Sequence, residues 1–484
     1  MHDLSRRRRM LVLAICCMSL LLVSLDNTVL NVALPAMRRD LNASVAGMQW
    51  TIDAYTLVLA SLLILAGSTA DRIGRRKVFS VGLVLFTAGS LLCSLAPSLG
   101  WLVTFRMIQA VGGSMLNPVA MSLITNTFTD PRERARAIGV WGAVVGVSMA
   151  AGPLIGGLLV DSVGWRSIFW VNLPVGLAAL VLTLRYVPES RADRPRRPDP
   201  VGQLLVMAVL GSVTYGIIEA PAAGWHSPLI LGCAAVAVAS LAGLLVYEPR
   251  RAQPLIDPRF FRSAPFSGAT VIAVGAFAAL SGFLFLNTLY LQDVRGLDAL
   301  DAGLYMLPMA ALTGLCAPLS GRLVGSRGPR LPLVVAGVAL GASGLLFAAF
   351  SAEASTPLMF AGYVLFGLGF GMVNAPITNT AVSGMPRAQA GVAAAIASTS
   401  RQTGGMLGVA VIGAVLAAGT AGGGDFVAAT RPAWWIITGC GLLVLVVGFA
   451  TSGRWAHGTA LRTAAALEPE PVLSPASAGA PPRV

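Results

Sequence analysis

At the end of its second apolar run the chain reads Gly67-Ser68-Thr69-Ala70-Asp71-Arg72-Ile73-Gly74-Arg75-Arg76-Lys77, a short basic loop that leads into a third apolar run. A related pattern, Gly321-x-x-Val324-Gly325-Ser326-x-Gly328-x-Arg330, follows after an offset of 254 residues. Two further pairs return at nearly the same offset: Gly112 with Gly369, and Gly152 with Gly408. Three weak matches at one offset predict an internal duplication, and in transporters such repeats place the substrate site between two halves.

Composition places the chain among integral membrane proteins. Of its 484 residues, 56% are hydrophobic and 11% are charged, whereas soluble domains carry about 25% charged residues. The formal net charge is +13, but the basic residues fall in short loops, which indicates membrane topology and excludes a nucleic-acid partner. The sequence has no Gly-x-x-x-x-Gly-Lys loop and no metal-ligand spacing of Cys and His. We therefore expect no metal and no cofactor, with a proton gradient as the energy source.

Apolar runs of about 20 residues, the length that crosses the hydrocarbon core of a bilayer, recur fourteen times between residues 10 and 452. The first run follows Arg6 to Arg9 and could imitate a secretory signal, but its length and Asp26 indicate an uncleaved span. With the N-terminus inside, most basic loop residues fall on the cytoplasmic side. Lys77 is the one Lys among 34 basic residues, a skew typical of GC-rich bacteria. We expect a monomer in the bacterial cytoplasmic membrane with both termini in the cytoplasm.

The duplication and the spans together predict an all-α membrane protein with two six-helix bundles and an inserted pair of helices. No loop is long enough to hold a soluble catalytic domain. The predicted segments are a basic cytoplasmic N-terminus (1–9), an N-terminal bundle (10–186), a linker (187–200), the inserted pair (201–247), a second linker (248–264), a C-terminal bundle (265–452) and a disordered cytoplasmic tail (453–484).

Four charged residues interrupt predicted spans: Asp26, Asp53, Arg106 and Arg401. A charge at the centre of a membrane helix costs about 2.5 to 3.5 kcal/mol on insertion scales. Such charges usually mark ion or proton pathways, and the alternative is a structural ion pair between helices. The deduced topology gives Asp26, Asp53 and Arg106 a similar depth in the outer third of their spans. We therefore expect these three residues to form one coupled proton site.

The loop at residues 67–77 resembles the loop signature of the major facilitator superfamily. The resemblance implies that Asp71, Arg72, Gly74 and Arg75 form a cytoplasmic gate that breaks when the protein opens inward. The alternative is a basic loop that only sets topology. Gly325 replaces the Asp in the second copy, so the gate role is assigned to the first copy alone.

Three further segments resemble the fourteen-span drug:proton antiporters of that superfamily, the quaternary-ammonium and multidrug efflux type. They are Leu25–Pro35 in span one, Trp165–Gly176 at the entry to span six, and the run from Gly367 to Val409. The resemblance covers the chain from about residue 10 to 450. It implies the major facilitator fold with an inserted helix pair, and drug export coupled to proton entry.

Span five carries the segment Ser148–Gly157, which resembles the signature that the family associates with export. Pro153 must disrupt the helical hydrogen-bond ladder. Gly152, Gly156 and Gly157 let another helix approach closely. The alternative is a kinked packing helix without a role in transport.

Span four places Gly113 and Asn117 about 20° to either side of Arg106, on one helix face. This face resembles the Arg-centred motif of the family, which implies a cavity-facing role in proton coupling. The residues assigned to the substrate cavity are Gln109, Asn117, Asn374, Arg401 and Gln402. Small residues around Arg401 also favour a structural role for it.

Glu219 resembles an acidic residue in span seven of some relatives and joins the proton-coupling set, although an interfacial carboxylate is the alternative. The sequence thus predicts a proton-coupled exporter of amphiphilic or cationic small molecules that works by alternating access. In this scheme protons reach Asp53 or Asp26 and remove the negative charge that held the substrate. A symporter that imports a metabolite on the same fold is the main alternative. A membrane-embedded enzyme is less compatible with the scattered His residues.

Overall fold

The computed structural model describes residues 5–192, 198–251, 253–349, 354–386, 389–421 and 423–467. These residues form helices joined by short connections, without a strand in the described ranges. A 3₁₀ segment at Pro258–Arg262 and a π-helical turn at Tyr290–Val294 flank α10. The helices are α1 (Arg6–Leu41), α2 (Val45–Ile73), α3 (Arg75–Ser94), α4 (Leu99–Thr127), α5 (Pro131–Ser162), α6 (Ser167–Trp170), α7 (Asn172–Tyr186), α8 (Pro200–Ala223), α9 (Pro228–Tyr247), α10 (Ala264–Leu289), α11 (Ala299–Tyr305), α12 (Leu307–Arg327), α13 (Arg330–Ala348), α14 (Thr356–Val382), α15 (Ala390–Thr420), α16 (Phe426–Thr451) and α17 (Arg454–Leu467).

Fourteen helical segments in the described ranges are long and apolar enough to cross a membrane, which confirms the predicted number of spans. α6 and α7 together make one of them. An even number of crossings places both ends of the helical array on the same side. We call this the terminal side, where α1 begins and α16 ends, and the opposite side the distal side.

Side-chain caps and hydroxyl groups satisfy backbone groups that a bilayer would leave unpaired. The Ser44 hydroxyl accepts from the Gly47 backbone N–H at 3.1 Å, and Asp199 and Ser227 cap α8 and α9 in the same way. Pro200 and Pro228 occupy the first turn, where the missing N–H has no helical partner to lose. The sequence therefore starts each inserted helix at a defined residue.

The inserted helix α8 lies across the seam between α2 and α15, one helix from each half of the duplication. The Gln203 amide donates to the Ser61 carbonyl of α2. The Thr214 hydroxyl donates to Sδ of Met406 on α15 at 3.0 Å. α9 packs on α8 and is otherwise largely exposed, as expected for a helix that faces lipid.

Polar contacts join the two halves at the distal side. The Gln49 amide of α2 donates to the Ala410 carbonyl of α15 at 2.8 Å. The Gln292 amide, just after α10, donates to the Val32 carbonyl of α1 at 2.9 Å. Because both amides are buried, these bonds hold backbone segments of opposite halves together.

The seam between α5 and α12 is closed only part of the way along. A Cβ on Gly146 of α5 would lie 3.7 Å from the Gly314 Cα of α12, an ordinary contact. Closer to the terminal side, a Cβ on Gly142 or on Gly321 would meet no atom within 4 Å. The two halves thus meet at the distal side and leave this seam open towards the terminal side.

The prediction of a disordered tail over residues 453–484 is wrong for its first part, because α17 covers Arg454–Leu467. Ala456, Thr459 and Ala460 form a small-residue face that packs against α10 and the Pro258–Arg262 segment. The Thr459 hydroxyl accepts from the Ala264 backbone N–H at 2.9 Å and so caps α10. Residues 468–484 of the predicted tail, 1–4 of the N-terminus and 193–197 of the first linker lie outside the described residues.

Candidate functional site

A fully buried ion pair connects α1 and α4. Arg106 Nη1 lies 2.5 Å from Asp26 Oδ2, and the side chains are 0% and 2% exposed. Arg106 Nη1 also donates to Gln109 Oε1 at 2.8 Å, and Gln109 Nε2 donates to Asp26 Oδ1 at 2.8 Å. The three side chains therefore form a closed ring of hydrogen bonds. Two of the predicted proton-coupling residues and one predicted cavity residue lie together here.

Asn172, at the start of α7, completes this network. Its amide donates to Asp26 Oδ1 at 2.8 Å and to the Ser90 hydroxyl of α3 at 3.0 Å. The Ser90 hydroxyl donates in turn to the Phe169 carbonyl. Asp26 thus accepts three hydrogen bonds, from Arg106, Gln109 and Asn172. Sequence reasoning did not place Asn172 in the site, although its segment at Trp165–Gly176 was already a recognised motif.

Tyr55 is a second residue of this site that sequence reasoning missed. The Arg106 guanidinium carbon lies 4.1 Å from the centroid of the Tyr55 ring, in cation–π geometry. Arg106 Nε also donates to the Thr51 carbonyl at 3.4 Å. Gly113 permits this packing, because a Cβ there would lie 2.9 Å from the Tyr55 hydroxyl. Gly113 therefore brings α2 against the ion pair, whereas Gly112 packs against α3.

Asp53 lies on α2 but on a different face from Tyr55. Two positions along a helix correspond to about 200°, so Asp53 points away from the face that meets Arg106. It shares the face of Gln49, which contacts α15. Asp53 is 0% exposed, its Oδ1 accepts from the Thr56 hydroxyl at 3.5 Å, and its Oδ2 has no hydrogen-bond partner among the described atoms. The structure therefore separates Asp53 from the Asp26–Arg106 pair, contrary to the expectation of one coupled site.

Glu219 lies near the distal end of α8, apart from both carboxylates described above. Its Oε1 accepts from Trp50 Nε1 of α2 at 2.7 Å. The Trp50 ring also lies 5.9 Å from the Tyr215 ring of α8. This contact fastens the inserted helix to α2 at the distal side.

The other predicted cavity residues lie on α4, α14 and α15. Asn117 is half-buried on α4, and its Oδ1 is buried without a partner in the described part of the chain. The Arg401 guanidinium donates to the Thr378 hydroxyl of α14. That hydroxyl donates to the Asn374 carbonyl at 3.1 Å, one turn earlier on α14. Gln402 is half-buried beside Arg401. Arg401 is therefore connected to Asn374 through Thr378 and the Asn374 backbone carbonyl.

The predicted gate loop closes on the N-terminal half itself. Arg75 donates to Asp71 Oδ1 through Nη2 at 2.7 Å and Nε at 3.0 Å. Gly74 has a φ of +124°, and a Cβ there would lie 2.6 Å from the Glu189 carboxylate. Arg72 is exposed. In this arrangement the loop is tied to the chain that follows α7.

The predicted antiporter helix, α5, makes its close contacts through the glycines of its motif. A Cβ on Gly152 would collide with the Thr28 hydroxyl of α1, and one on Gly156 would lie 3.1 Å from the Val29 carbonyl. A Cβ on Gly157 would lie 2.5 Å from the Leu300 Cα of α11, in the opposite half. Gly303 of α11 packs in turn against Pro153, and a Cβ added to Gly303 would lie 2.5 Å from the Pro153 carbonyl oxygen. The motif thus packs α5 against both halves at the distal side.

The substitution Gly157→Ala is expected to part the halves at the distal side. The new Cβ would need about 1 Å more room to reach a normal contact distance from Leu300, whose Cα cannot move independently of α11. Spin labels at Ser162→Cys and Asp425→Cys, two exposed distal positions in opposite halves, should report a longer distance. Gly142→Ala on the same helix is the matched control, since its Cβ would meet no atom within 4 Å. An unchanged distance in the Gly157 variant would contradict the packing role.

Comparison with known families identifies the fold. The family described as Major Facilitator Superfamily matches residues 16–409, which span both halves and the inserted pair. The chain belongs to the major facilitator superfamily. As a member of this superfamily it is a membrane transporter, and the all-α fold that the sequence predicted is confirmed.

Several relatives in this superfamily are named for drug resistance or export. The multidrug resistance protein Stp of Mycobacterium tuberculosis is 39% identical over 412 residues, which cover 85% of this chain and 76% of that protein. The tetracenomycin C resistance and export protein of Streptomyces glaucescens is 39% identical over 398 residues, 82% of this chain and 74% of that protein. The methylenomycin A resistance protein of Streptomyces coelicolor is 34% identical, over 82% of this chain and 83% of that protein.

A solved major facilitator structure shares the same overall fold. It is a bacterial homolog of the human lysosomal transporter Spinster, in an inward-facing and unoccupied conformation. The TM-score is 0.63 at 20% sequence identity, and the match covers 96% of this chain and 99% of the other. At this identity the likeness shows the fold and nothing further.

Proposed function

We propose that this chain is a proton-driven exporter of amphiphilic small molecules, which works by alternating access across the bacterial cytoplasmic membrane. The terminal side is the cytoplasmic side. In the described arrangement the halves are joined at the distal side, and the α5–α12 seam is open towards the cytoplasm. Export requires that the distal contacts break and that the seam closes.

The observation that carries the coupling is the different environment of the two carboxyl groups that are buried on α1 and α2. Asp26 accepts from Arg106, Gln109 and Asn172, so its charged form is fully compensated. Asp53 is equally buried but receives only the long bond from Thr56. A buried carboxyl group with a single long hydrogen bond and no cation partner is stable when it carries a proton. We therefore assign proton transfer to Asp53 and a fixed structural charge to the Asp26–Arg106 pair.

The position of Asp53 connects its proton to the conformational change. It lies on the α2 face that packs against α15, close to the Gln49–Ala410 bond that joins the halves. Ionisation of Asp53 places an uncompensated charge in this seam, which favours separation of α2 from α15. Protonation restores the apolar contact. Two observations support the export direction. The relatives are named for drug resistance or export, and the glycines of α5 lie at the distal contact between the halves.

Inside-out membrane vesicles test this function directly. With an acidic lumen, vesicles that contain the chain should accumulate an added amphiphilic probe such as 8-anilinonaphthalene-1-sulfonate. Nigericin, which collapses the pH difference, should abolish the accumulation. Vesicles without the chain provide the control. Accumulation that survives nigericin, or probe movement out of the lumen together with protons, would replace the exporter by a uniporter or a symporter.

A further inference from the structure

Arg401 is a cation in the C-terminal half without a carboxylate partner. Within the described residues no Asp or Glu oxygen lies within 4.0 Å of its guanidinium. Its Nε is buried and has no hydrogen-bond partner there. The sequence of α10, α12, α13, α14, α15 and α16 contains no acidic residue at all. The C-terminal bundle therefore cannot neutralise this charge within its own spans.

The N-terminal half does not supply the missing negative charge either. Asp26 is already paired with Arg106. Asp53 lies on the face of α2 whose Gln49 packs against Gly413 of α15. Arg401 lies about 18 Å from Gly413 along α15. The guanidinium instead contacts Thr378 of α14 and lies 6.0 Å from the Phe277 ring of α10. Arg401 thus faces the space between α10 and α14.

The surroundings of Arg401 suit one kind of ligand. A guanidinium has five N–H donors, and the structure uses one of its groups for Thr378. The remaining donors can form the paired hydrogen bonds that a carboxylate, sulfonate or phosphate group accepts. The Phe277 ring provides an aromatic surface beside the charge, and Thr378 is exposed. A ligand here would combine an acidic group with apolar rings.

We propose that Arg401 is the binding site for an anionic group on the transported amphiphile. This inference rests on the proposed function and narrows its substrates from cationic or amphiphilic compounds to amphiphiles that carry an acidic group. The acidic group accepts hydrogen bonds from the Arg401 guanidinium beside Thr378. The apolar part of the ligand lies along the Phe277 ring. The bound ligand supplies the negative partner that Arg401 lacks among the described residues.

Equilibrium binding of two matched probes tests the proposal without any gradient. 8-Anilinonaphthalene-1-sulfonate carries a sulfonate, and N-phenyl-1-naphthylamine has the same ring system without it. In nanodiscs of pure phosphatidylcholine, the intact protein should bind the sulfonate more tightly. Arg401→Gln should weaken sulfonate binding about tenfold or more and leave the neutral probe unchanged, because a hydrogen-bonded charge pair is lost. Arg401→Lys should keep part of the sulfonate affinity, because lysine retains the positive charge but cannot form the paired hydrogen bonds of a guanidinium.

Other outcomes of this experiment overturn the proposal. Equal binding of both probes to the intact protein, or an equal loss of both in Arg401→Gln, would make Arg401 structural. Competition by added phosphatidylglycerol would assign the anion to a lipid headgroup. Arg431→Gln, an exposed basic position at the distal side, is the control and should change neither probe. Failure of gradient-driven accumulation would refute the exporter while leaving this binding result intact.

Discussion

Asp53→Asn is expected to reduce gradient-driven accumulation in inside-out vesicles to the level of vesicles without the protein. The amide has nearly the same shape as the carboxyl group but can neither bind nor release a proton in the relevant range. The residue is fully buried, and its Oδ2 has no donor that the substitution could remove. We therefore expect normal expression and an almost unchanged apparent Tm. Loss of transport with retained stability would assign the proton to Asp53.

Two further variants make the result specific. Asp53→Glu keeps a titratable group at the same position and should retain part of the transport. Asp40→Asn removes a carboxylate of α1 that pairs with Arg166 at the exposed distal end, and transport should persist. Undiminished accumulation in Asp53→Asn would exclude Asp53 as the proton carrier and direct attention to Asp26.

Arg106→Gln is expected to be the most destabilising of these substitutions. It leaves the Asp26 carboxylate buried with only Gln109 and Asn172 as partners. Breaking a buried ion pair by removal of one partner costs about 3 to 5 kcal/mol. The contact with the Tyr55 ring is also lost. The apparent Tm of the detergent-solubilised protein should fall clearly, and transport should fall with it.

A double-mutant cycle separates the interaction energy of the Asp26–Arg106 pair from the other effects of each substitution on stability. Asp26→Asn combined with Arg106→Gln removes both charges, so the double variant should be more stable than the sum of the two single effects implies. The exposed Asp40–Arg166 pair is the comparison, since a solvent-screened bridge contributes little. Additive effects of the two buried substitutions would show that Asp26 and Arg106 do not depend on each other.

The fold was largely predictable from the sequence because each signal for it is local. Apolar length defines the spans, and the basic loop at residues 67–77 fixes one connection. The first part of the tail was wrongly predicted to be disordered, because α17 gains its stability from packing on α10 and composition does not reveal this contact. Helix propensity alone would leave such a short helix marginal.

The site was predictable in part. The sequence shows how deep a charged residue lies along its span, but it does not show how a helix is rotated relative to its neighbours. Asp26, Arg106 and Gln109 meet as a shared depth suggests. Asp53 has the same depth but faces α15, because the orientation of α2 is set by Tyr55 and Gln49 on two different faces. Asn172 was missed because its role depends on where α7 begins relative to α1.

The position of α8 makes the two flanks of the transporter unequal. On one flank α8 fills the seam between α2 and α15, so lipid cannot touch that seam without displacing a helix. On the other flank α5 meets α12 at Gly146, and among the described residues neither α8 nor α9 packs closely on these two helices. A compound dissolved in the bilayer therefore meets one flank that α8 covers and one flank that the inserted pair does not cover. In the described chain, the inserted pair thus leaves the α5–α12 seam without the helix that covers the α2–α15 seam.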